Sequence, residues 1–439
     1  MMNTLIAEQN PWWKNAKEIE EDPKVSEALS KQHKLTYSFN SEENRLIFGP
    51  RQIGKTTYLK LLIHDLIINK GIPPKQCFYF TCDILRNSKE LLNLIRTADK
   101  LFSPKYFFLD EISFVEGWER AVKYLMDSAK YANKVFYLTG SSSVALKRES
   151  FPGRNIRAQE FLPLSFRRFI KLFGSRELKK LLESTNVRKL PDIKEQIKSL
   201  LPFFDEVDSL FYKYLQCGGF PRAFYELMEN GEIRDETFDI YWQWVIGDVV
   251  KLKRSQKIAT GVFRGILKNY TSKFSLSSIS REMEIGSHVT VREYLELLED
   301  LFVIRNFYTF DLNRKTVIYR KMRKVYFIDP FLYNVFEKKL VGKTQRLDRL
   351  VEGVVAEHVI RFVKDPLKVG FYHGRKEIDI VVPDTGIEVK WQKNVNHRDF
   401  PKVDVKNKII LSQDKVDLSG DVLIVPASLF LCVLRIQGA

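Results

Sequence analysis

Gly49, Gly54, Lys55 and Thr56 fall in the run GPRQIGKTT, residues 49–57, with the spacing G-x-x-x-x-G-K-[ST]. Glycines at those positions let successive backbone N–H groups turn toward phosphate oxygens, and a helix N-terminus behind them adds its positive end. Lys55 is placed to pair with the β- and γ-phosphates, and the Thr56 hydroxyl to ligate Mg2+. The nine residues Gly49, Pro50, Arg51, Gln52, Ile53, Gly54, Lys55, Thr56 and Thr57 therefore form the expected ATP-binding loop. An apolar strand precedes the loop and a helix follows it, which is the context the motif needs.

A second pair of acids completes that chemistry. YFFLDEI ends a continuous apolar run with Asp110 and Glu111. Asp110 is expected to hold the water shell of Mg2+, and Glu111 to orient and deprotonate an attacking water. YLTGSSS offers Thr139 or Ser141 to the water or the γ-phosphate, although Ser and Thr at a strand end are also ordinary turn residues. Hydrolysis also needs a cation on the γ-phosphate, worth about 10³–10⁵ in rate. Arg154 in FPGR, reaching a neighbouring subunit, and Arg222 in GGFPR are the two candidates.

A separate set lies near the end of the chain. EIDIVVPDTGIEVKWQ, residues 377–392, reads as a hairpin carrying Asp379 on one strand and Glu388 and Lys390 on the next. Glu388 and Lys390 are two apart and share a face. Glu352, on the preceding helix, adds a third carboxylate, with Glu357 a weaker substitute. Glu377 is set aside as lying on the face opposite Asp379. Such carboxylates can bind one or two Mg2+ or Mn2+ ions, which lower the pKa of a bound water. Lys390 then positions that water or neutralises the transition state. Cross-strand Glu–Lys pairs also occur simply for solubility.

The elements that must position these groups are legible as patterns. Leu59, Leu62, Ile63 and Leu66 keep helical spacing behind the glycine loop. QCFYFTC, KYFFLDEI and KVFYLTGSSS read as further strands, alternating with helices as in a doubly wound parallel sheet. The chain turns helical from about residue 165 to 270. A short helix, a turn at Gly286 and a second helix then precede a two-stranded ribbon, which is the order of a winged helix. His288, Thr290, Arg292 and Ser287 are expected to face outward from the second helix, and Leu295, Leu298 and Leu301 inward. Its later turns carry Glu293, Glu296, Glu299 and Asp300, which repel a polyanion. The expected partition is a lead-in (1–40), an ATPase core (41–165), a helical lid (166–270), a winged helix (271–344) and a C-terminal α/β domain (345–439).

The net charge of the 439 residues is +16. Residues 251–346 hold 20 Lys/Arg against 9 Asp/Glu, a local charge of +11. RKTVIYRKMRK alone carries six basic residues in eleven. That concentration suggests a polyanion partner, with DNA the first choice and the ribbon lying along its phosphates. There is no run of about 18 apolar residues, so no membrane span is expected. The opening residues lack the pattern of a secretory signal. Cys77, Cys82, Cys217 and Cys432 are scattered and read as free thiols of a reducing cytoplasm.

GPRQIGKTT, FFLDEISFVEGWERAVKYLMD, YLTGSSS, FLPLSFRRFI and YLQCGGFPRAF occur in that order. Together they resemble AAA+ superfamily ATPases of bacteria and archaea that carry a C-terminal domain of unknown function. NPWW is similar to the archaeal branch. The resemblance implies an α/β protein: a P-loop AAA+ parallel-sheet core with a helical lid, a winged helix and a C-terminal restriction-endonuclease-like domain. It also implies Ser141 or Ser142 as γ-phosphate sensor and Arg154 as trans-acting finger in a homo-oligomer. Arg222 departs from relatives that often carry an acid there. The C-terminal set matches the PD-(D/E)xK nuclease arrangement, with Asp379, Glu388 and Lys390 catalytic and Glu352, Asp379 and Glu388 on metal. The expected activity is Mg-dependent ATP hydrolysis coupled to nucleic-acid binding, with or without metal-dependent DNA cleavage. The alternative is an ATP-dependent switch that binds DNA or remodels a protein partner through an inactive nuclease fold.

Overall fold

The computed structural model describes residues 2–37, 42–141, 155–185, 187, 189–342 and 346–436. Arg154 and Ser142 lie outside the described residues. The chain folds as two compact units, Met1–Leu162 and Pro163–Gln437.

The first unit is built on five parallel strands: β1 (Arg45–Phe48), β2 (Cys77–Thr81), β3 (Tyr106–Asp110), β4 (Val135–Gly140) and β5 (Arg157–Glu160). Their order is β2-β3-β4-β1-β5. Every residue of β3 and β4 is buried, as an apolar run covered on both faces requires. Helix Lys55–His64 follows β1 through the glycine loop, and Leu59, Leu62, Ile63 and Leu66 are all in the core. The topology brings the C-terminal ends of β1, β4 and β3 side by side, where α/β sheets hold their ligands.

The opening residues pack on this sheet. The Asn10 side chain donates to the carbonyl of Tyr79 and accepts from its N–H. Trp12 and Trp13 both donate to the carbonyl of Cys77. These contacts satisfy the outer edge of β2, which would otherwise be open to strand pairing. Lys60 pairs with Asp22 at 3.2 Å and lies 3.7 Å from the centre of the Tyr79 ring. Burial lowers its pKa against the pull of Asp22.

The second unit begins with helices from Phe166–Phe173 to Gln256–Lys268. Helices Leu276–Glu282 and His288–Asp300 follow, then β6 (Ile304–Asp311) and β7 (Thr316–Phe327). Ser287 caps the second of these helices by accepting from the Thr290 N–H. Leu295, Leu298 and Leu301 are buried, whereas His288 and Arg292 are exposed. Its acids are engaged: Glu293 with Arg254, Arg292 with Glu296, and Glu299 with the Asn306 backbone and side chain.

β6 and β7 do not stand apart as a free ribbon. They continue a seven-stranded mixed sheet, β12-β11-β10-β9-β8-β6-β7. Its other strands are β8 (Gly370–His373), β9 (Glu377–Val382), β10 (Thr385–Val389), β11 (Asn407–Ser412) and β12 (Val422–Pro426). The helix Leu347–Val363 packs on this sheet with its residues 350–360 buried. The basic ribbon is accordingly not all surface. Arg323 lies over the Tyr308 ring and bonds Asn306, and Lys324 is 1% exposed. Lys315 pairs with Asp384 in the β9–β10 turn.

Two of the quoted motifs are structural. Arg167, in FLPLSFRRFI, donates to the carbonyls of Cys432, Val433, Leu182 and Thr185. It ties the first helix of this unit to its last. In YLQCGGFPRAF, Asp329 accepts from the Gly219 and Phe331 N–H groups. A Cβ at Gly218 would stand 1.9 Å from an Asp329 oxygen, so only glycine fits. Arg222, next to this turn, is exposed.

Replacing Arg167 by Met leaves four buried carbonyls without their donor. Each such loss costs about 1–3 kcal/mol before relaxation. The variant is expected to unfold at markedly lower denaturant concentration, by on the order of 3 kcal/mol in chemical denaturation of the full chain.

Candidate active site

The loop at residues 49–54 leaves β1 and enters helix Lys55–His64 through Gly54, whose φ of +93° is left-handed. Gln52 also takes a positive φ. Nothing stands within 4 Å of where a Gly54 Cβ would be, so its positive φ and not crowding favours glycine there. Gly49 has the opposite reason for being glycine. A Cβ there would come 2.0 Å from the Phe161 carbonyl oxygen. Pro50 and Ile53 are buried, Thr57 is half-buried, and the Arg51 guanidinium lies 5.1 Å from the Phe114 ring centre. The Lys55 ammonium is held inside the loop by the carbonyls of Gly49 (2.9 Å) and Pro50 (2.8 Å).

Asp110 is the hub of this edge. One carboxylate oxygen accepts from Thr56 at 2.7 Å and from the Tyr79 hydroxyl at 3.0 Å. The other accepts from Thr139. The same Thr139 oxygen accepts from the Glu111 N–H at 2.9 Å. One hydroxyl on β4 thus fixes both acids at the end of β3. Sequence reading named Thr139 only as an alternative and did not find Tyr79. Tyr79 reaches Asp110 across the β2–β3 register, in which Thr81 pairs with Asp110; the diagonal neighbour is two residues back.

Glu111 adopts φ +52°, a left-handed conformation that is costly for a residue with a side chain. One of its carboxylate oxygens is buried with no hydrogen-bond partner among the described residues. Burial raises its pKa, helped by Asp110 and opposed by Lys55, Arg51 and a hydrogen bond from Ser141. A strained, desolvated carboxylate beside a lysine and the glycine loop is suited to accept a proton from water. Thr56 and Asp110 are a donor set that fits Mg2+, which takes one or two protein oxygens and completes its shell from phosphates and water.

The C-terminal set converges as well, with two changes. Asp379 accepts from the Val389 N–H at 3.0 Å, and Glu388 accepts from the Asp379 N–H at 3.4 Å, so each acid clasps the other's strand. Lys390 bonds Glu388 at 2.6 Å. The first change is Lys324, which sequence reading assigned to a phosphate-facing ribbon. Its ammonium lies 3.0 Å from Glu352, 3.1 Å from Glu377 and 3.3 Å from Asp379. The second is Glu377. It shares the face of Asp379, as residues two apart on a strand must, and Lys273 also binds it at 2.5 Å. Glu357 is not a substitute ligand, because Arg305 engages it at 3.3 Å.

Burial and the neighbouring Asp379 push Glu352 up to about 7, against Lys324. The same two causes push Glu388 up to about 7, against Lys390. Burial opposes the charge on Lys324, but Tyr326 and the three carboxylates hold it well above the ordinary lysine range. Among the described residues, no group of three or more His, Cys, Asp or Glu side chains is arranged to hold a metal ion.

Residues 41–170 match the family model described as an AAA domain. This segment is similar to an AAA domain. Residues 208–342 match a second model, a domain of unknown function (DUF8612). The chain is 28% identical over 292 residues to the uncharacterized protein MJ1544 of Methanocaldococcus jannaschii, covering 63% of this chain and 59% of that protein. It is 26% identical over 326 residues to an uncharacterized protein of Haemophilus influenzae, covering 70% of this chain and 72% of that one. The chain thus spans about three-fifths of the length of the first relative and somewhat more of the second.

Solved structures with low overall similarity are RuvB of Thermotoga maritima, Cdc6p of Pyrobaculum aerophilum and a Drosophila ORC bound to DNA. The first shares 15% identity and covers 66% of this chain and 88% of its own, at TM-score 0.25. The second shares 12% and covers 74% and 94%, at TM-score 0.23. The third shares 10% and covers 78% and 99%, at TM-score 0.26. At these TM-scores the likenesses add no weight to the assignment. The AAA domain contains the whole of the Lys55, Thr56, Asp110 and Glu111 constellation.

Within the AAA domain, Thr139→Val removes the hydroxyl shared by Asp110 and Glu111 while keeping the side-chain shape. A hydrogen bond to a charged group is worth about 1.5–3 kcal/mol. ATP turnover is expected to fall by about ten-fold or more, with nucleotide affinity changed much less, as equilibrium binding of a fluorescent ATP analogue would report.

Proposed function

We propose that the chain is a Mg-dependent ATPase that couples nucleotide hydrolysis to nucleic-acid binding by its second unit. The observation that carries the first half is the joint hold of Thr139 on Asp110 and Glu111, opposite the loop that carries Lys55. Gly49 to Thr57 would hold the phosphates, with Lys55 moving from its loop carbonyls to them. Thr56 and Asp110 would hold Mg2+, which supplies charge neutralisation of the phosphates. Glu111 takes the proton of the attacking water, and Ser141 fixes the carboxylate that does so. Arg154, offered by a neighbouring subunit of a homo-oligomer, is the expected finger. The reading places the protein in the cytoplasm.

The second half rests on charge. Residues 251–346 carry +11, and Arg292 and Arg314 are exposed there. A winged helix entering a groove by the first turn of His288–Asp300 agrees with the exposure of His288 and Arg292 and the pairing of the later acids. The C-terminal fold is read as PD-(D/E)xK nuclease-like. Of the two outcomes for it, cleavage and binding without cleavage, the engagement of Asp379 and Glu352 by Lys324 favours binding without cleavage. ATP would select one conformational state and hydrolysis release it. A partner-remodelling role, in which the same helices meet protein, is distinguished by salt.

Lys55→Ala is expected to abolish nucleotide retention, and Glu111→Gln to retain ATP without turning it over. Wild-type ATP hydrolysis by Glu111→Gln overturns the assigned base. Binding of duplex DNA is expected to weaken steeply between low and physiological salt, as counterion release demands. Salt-insensitive or absent binding supports the protein-partner reading instead.

A further inference from the structure

The nuclease arrangement calls for a divalent ion among Glu352, Asp379 and Glu388. The residues present do not fit one. The centre of the cluster is taken by an ammonium that the arrangement does not include. Lys324 is delivered by β7, from outside the hairpin that carries Asp379 and Glu388, and its side chain is 1% exposed. It contacts three carboxylates from two other elements: Glu352 on helix Leu347–Val363, and Glu377 and Asp379 on β9. Tyr326, two residues along β7, donates at 2.7 Å to the same Glu352 oxygen that Lys324 bonds. Lys390 and Lys273 take the outer acids, Glu388 and Glu377. Three lysines thus meet four carboxylates, and the Asp379 and Val389 N–H groups and one phenol add further hydrogen bonds.

The geometry points to Lys324 as the resident cation of this cluster: a protein ammonium stands where a nuclease would carry its metal, closing the seven-stranded sheet on its buried acids without a divalent ion. The inference concerns the second unit and is independent of ATP hydrolysis by the first. A buried lysine with three acceptors cannot be removed without leaving the acids facing one another, which is strongly destabilising. Conversely, removing it should open the position to a divalent ion of similar charge effect, since hard cations take carboxylate oxygens.

The test uses the full chain without nucleotide, with Mn2+ as the probe, followed by electron paramagnetic resonance of free Mn2+ and by thermal unfolding. Wild type and Asp379→Asn are expected to take up equal Mn2+, so that none of the uptake depends on Asp379. Mn2+ uptake by wild type that Asp379→Asn abolishes overturns the inference, and this arm needs no lysine variant. Lys324→Met is expected to unfold at a lower temperature than wild type, to bind one further Mn2+ per chain, and to regain stability when Mn2+ is added. Adding Asp379→Asn to Lys324→Met should remove that extra site. A Lys324→Met chain as stable as wild type in the absence of metal, or one that folds and takes up no additional Mn2+, contradicts it.

Discussion

The AAA domain depends on one carboxylate held by three hydroxyls. Asp110 takes Thr56 from the helix after the loop, Thr139 from β4 and Tyr79 from β2. Each donor comes from a different element, so the bonds form only if the strand order is β2-β3-β4-β1. The order of the sheet and the chemistry of its edge are thus the same constraint. Glu111 is the residue that bears the cost. It sits in a left-handed conformation with one oxygen unpaired among the described residues, and the Thr139 hydroxyl holds its N–H in place. Strain at a proton-accepting side chain, supported by a rigid neighbour, is how folds pre-organise a site.

The second unit solves a different electrostatic problem. Its sheet and the helix Leu347–Val363 gather four acids near one point, and three lysines, from β7, from β10's end and from the loop at residue 273, offset most of their charge. Arg167 and Asp329 act on the same principle elsewhere in the unit. Each is a buried polar group whose partners are backbone groups, and each ties distant segments together. Fully partnered groups of this kind specify one packing, because any slip leaves a polar group unmet.

Local motifs were legible and long-range partners were not. The glycine loop, Asp110 and Glu111 are readable because their spacing and apolar flanks are contiguous in sequence. The hairpin of Asp379, Glu388 and Lys390 was readable for the same reason. Tyr79 was invisible because its role depends on strand register, which no local pattern encodes. Lys324 was hidden within a run of six basic residues, where composition argued for surface. Only the joining of β6 to β8, Thr309 beside Phe371, turns that strand inward. Glu377 was misplaced by an error of periodicity that the two-residue repeat of a strand corrects. Glu293 and Glu299 of helix His288–Asp300 looked repulsive because their partners, Arg254 and Asn306, lie outside the helix.

Asp110 and its hydroxyl partners are proposed to run metal-assisted hydrolysis of a nucleoside triphosphate. The most direct measurement is phosphate release from ATP by the purified chain, with Mg2+, with chelator, and with Asp110→Asn. The account expects steady release that requires Mg2+ and is lost in the variant. Release that survives chelation of all divalent cations, or that proceeds at the wild-type rate in Asp110→Asn, would contradict it.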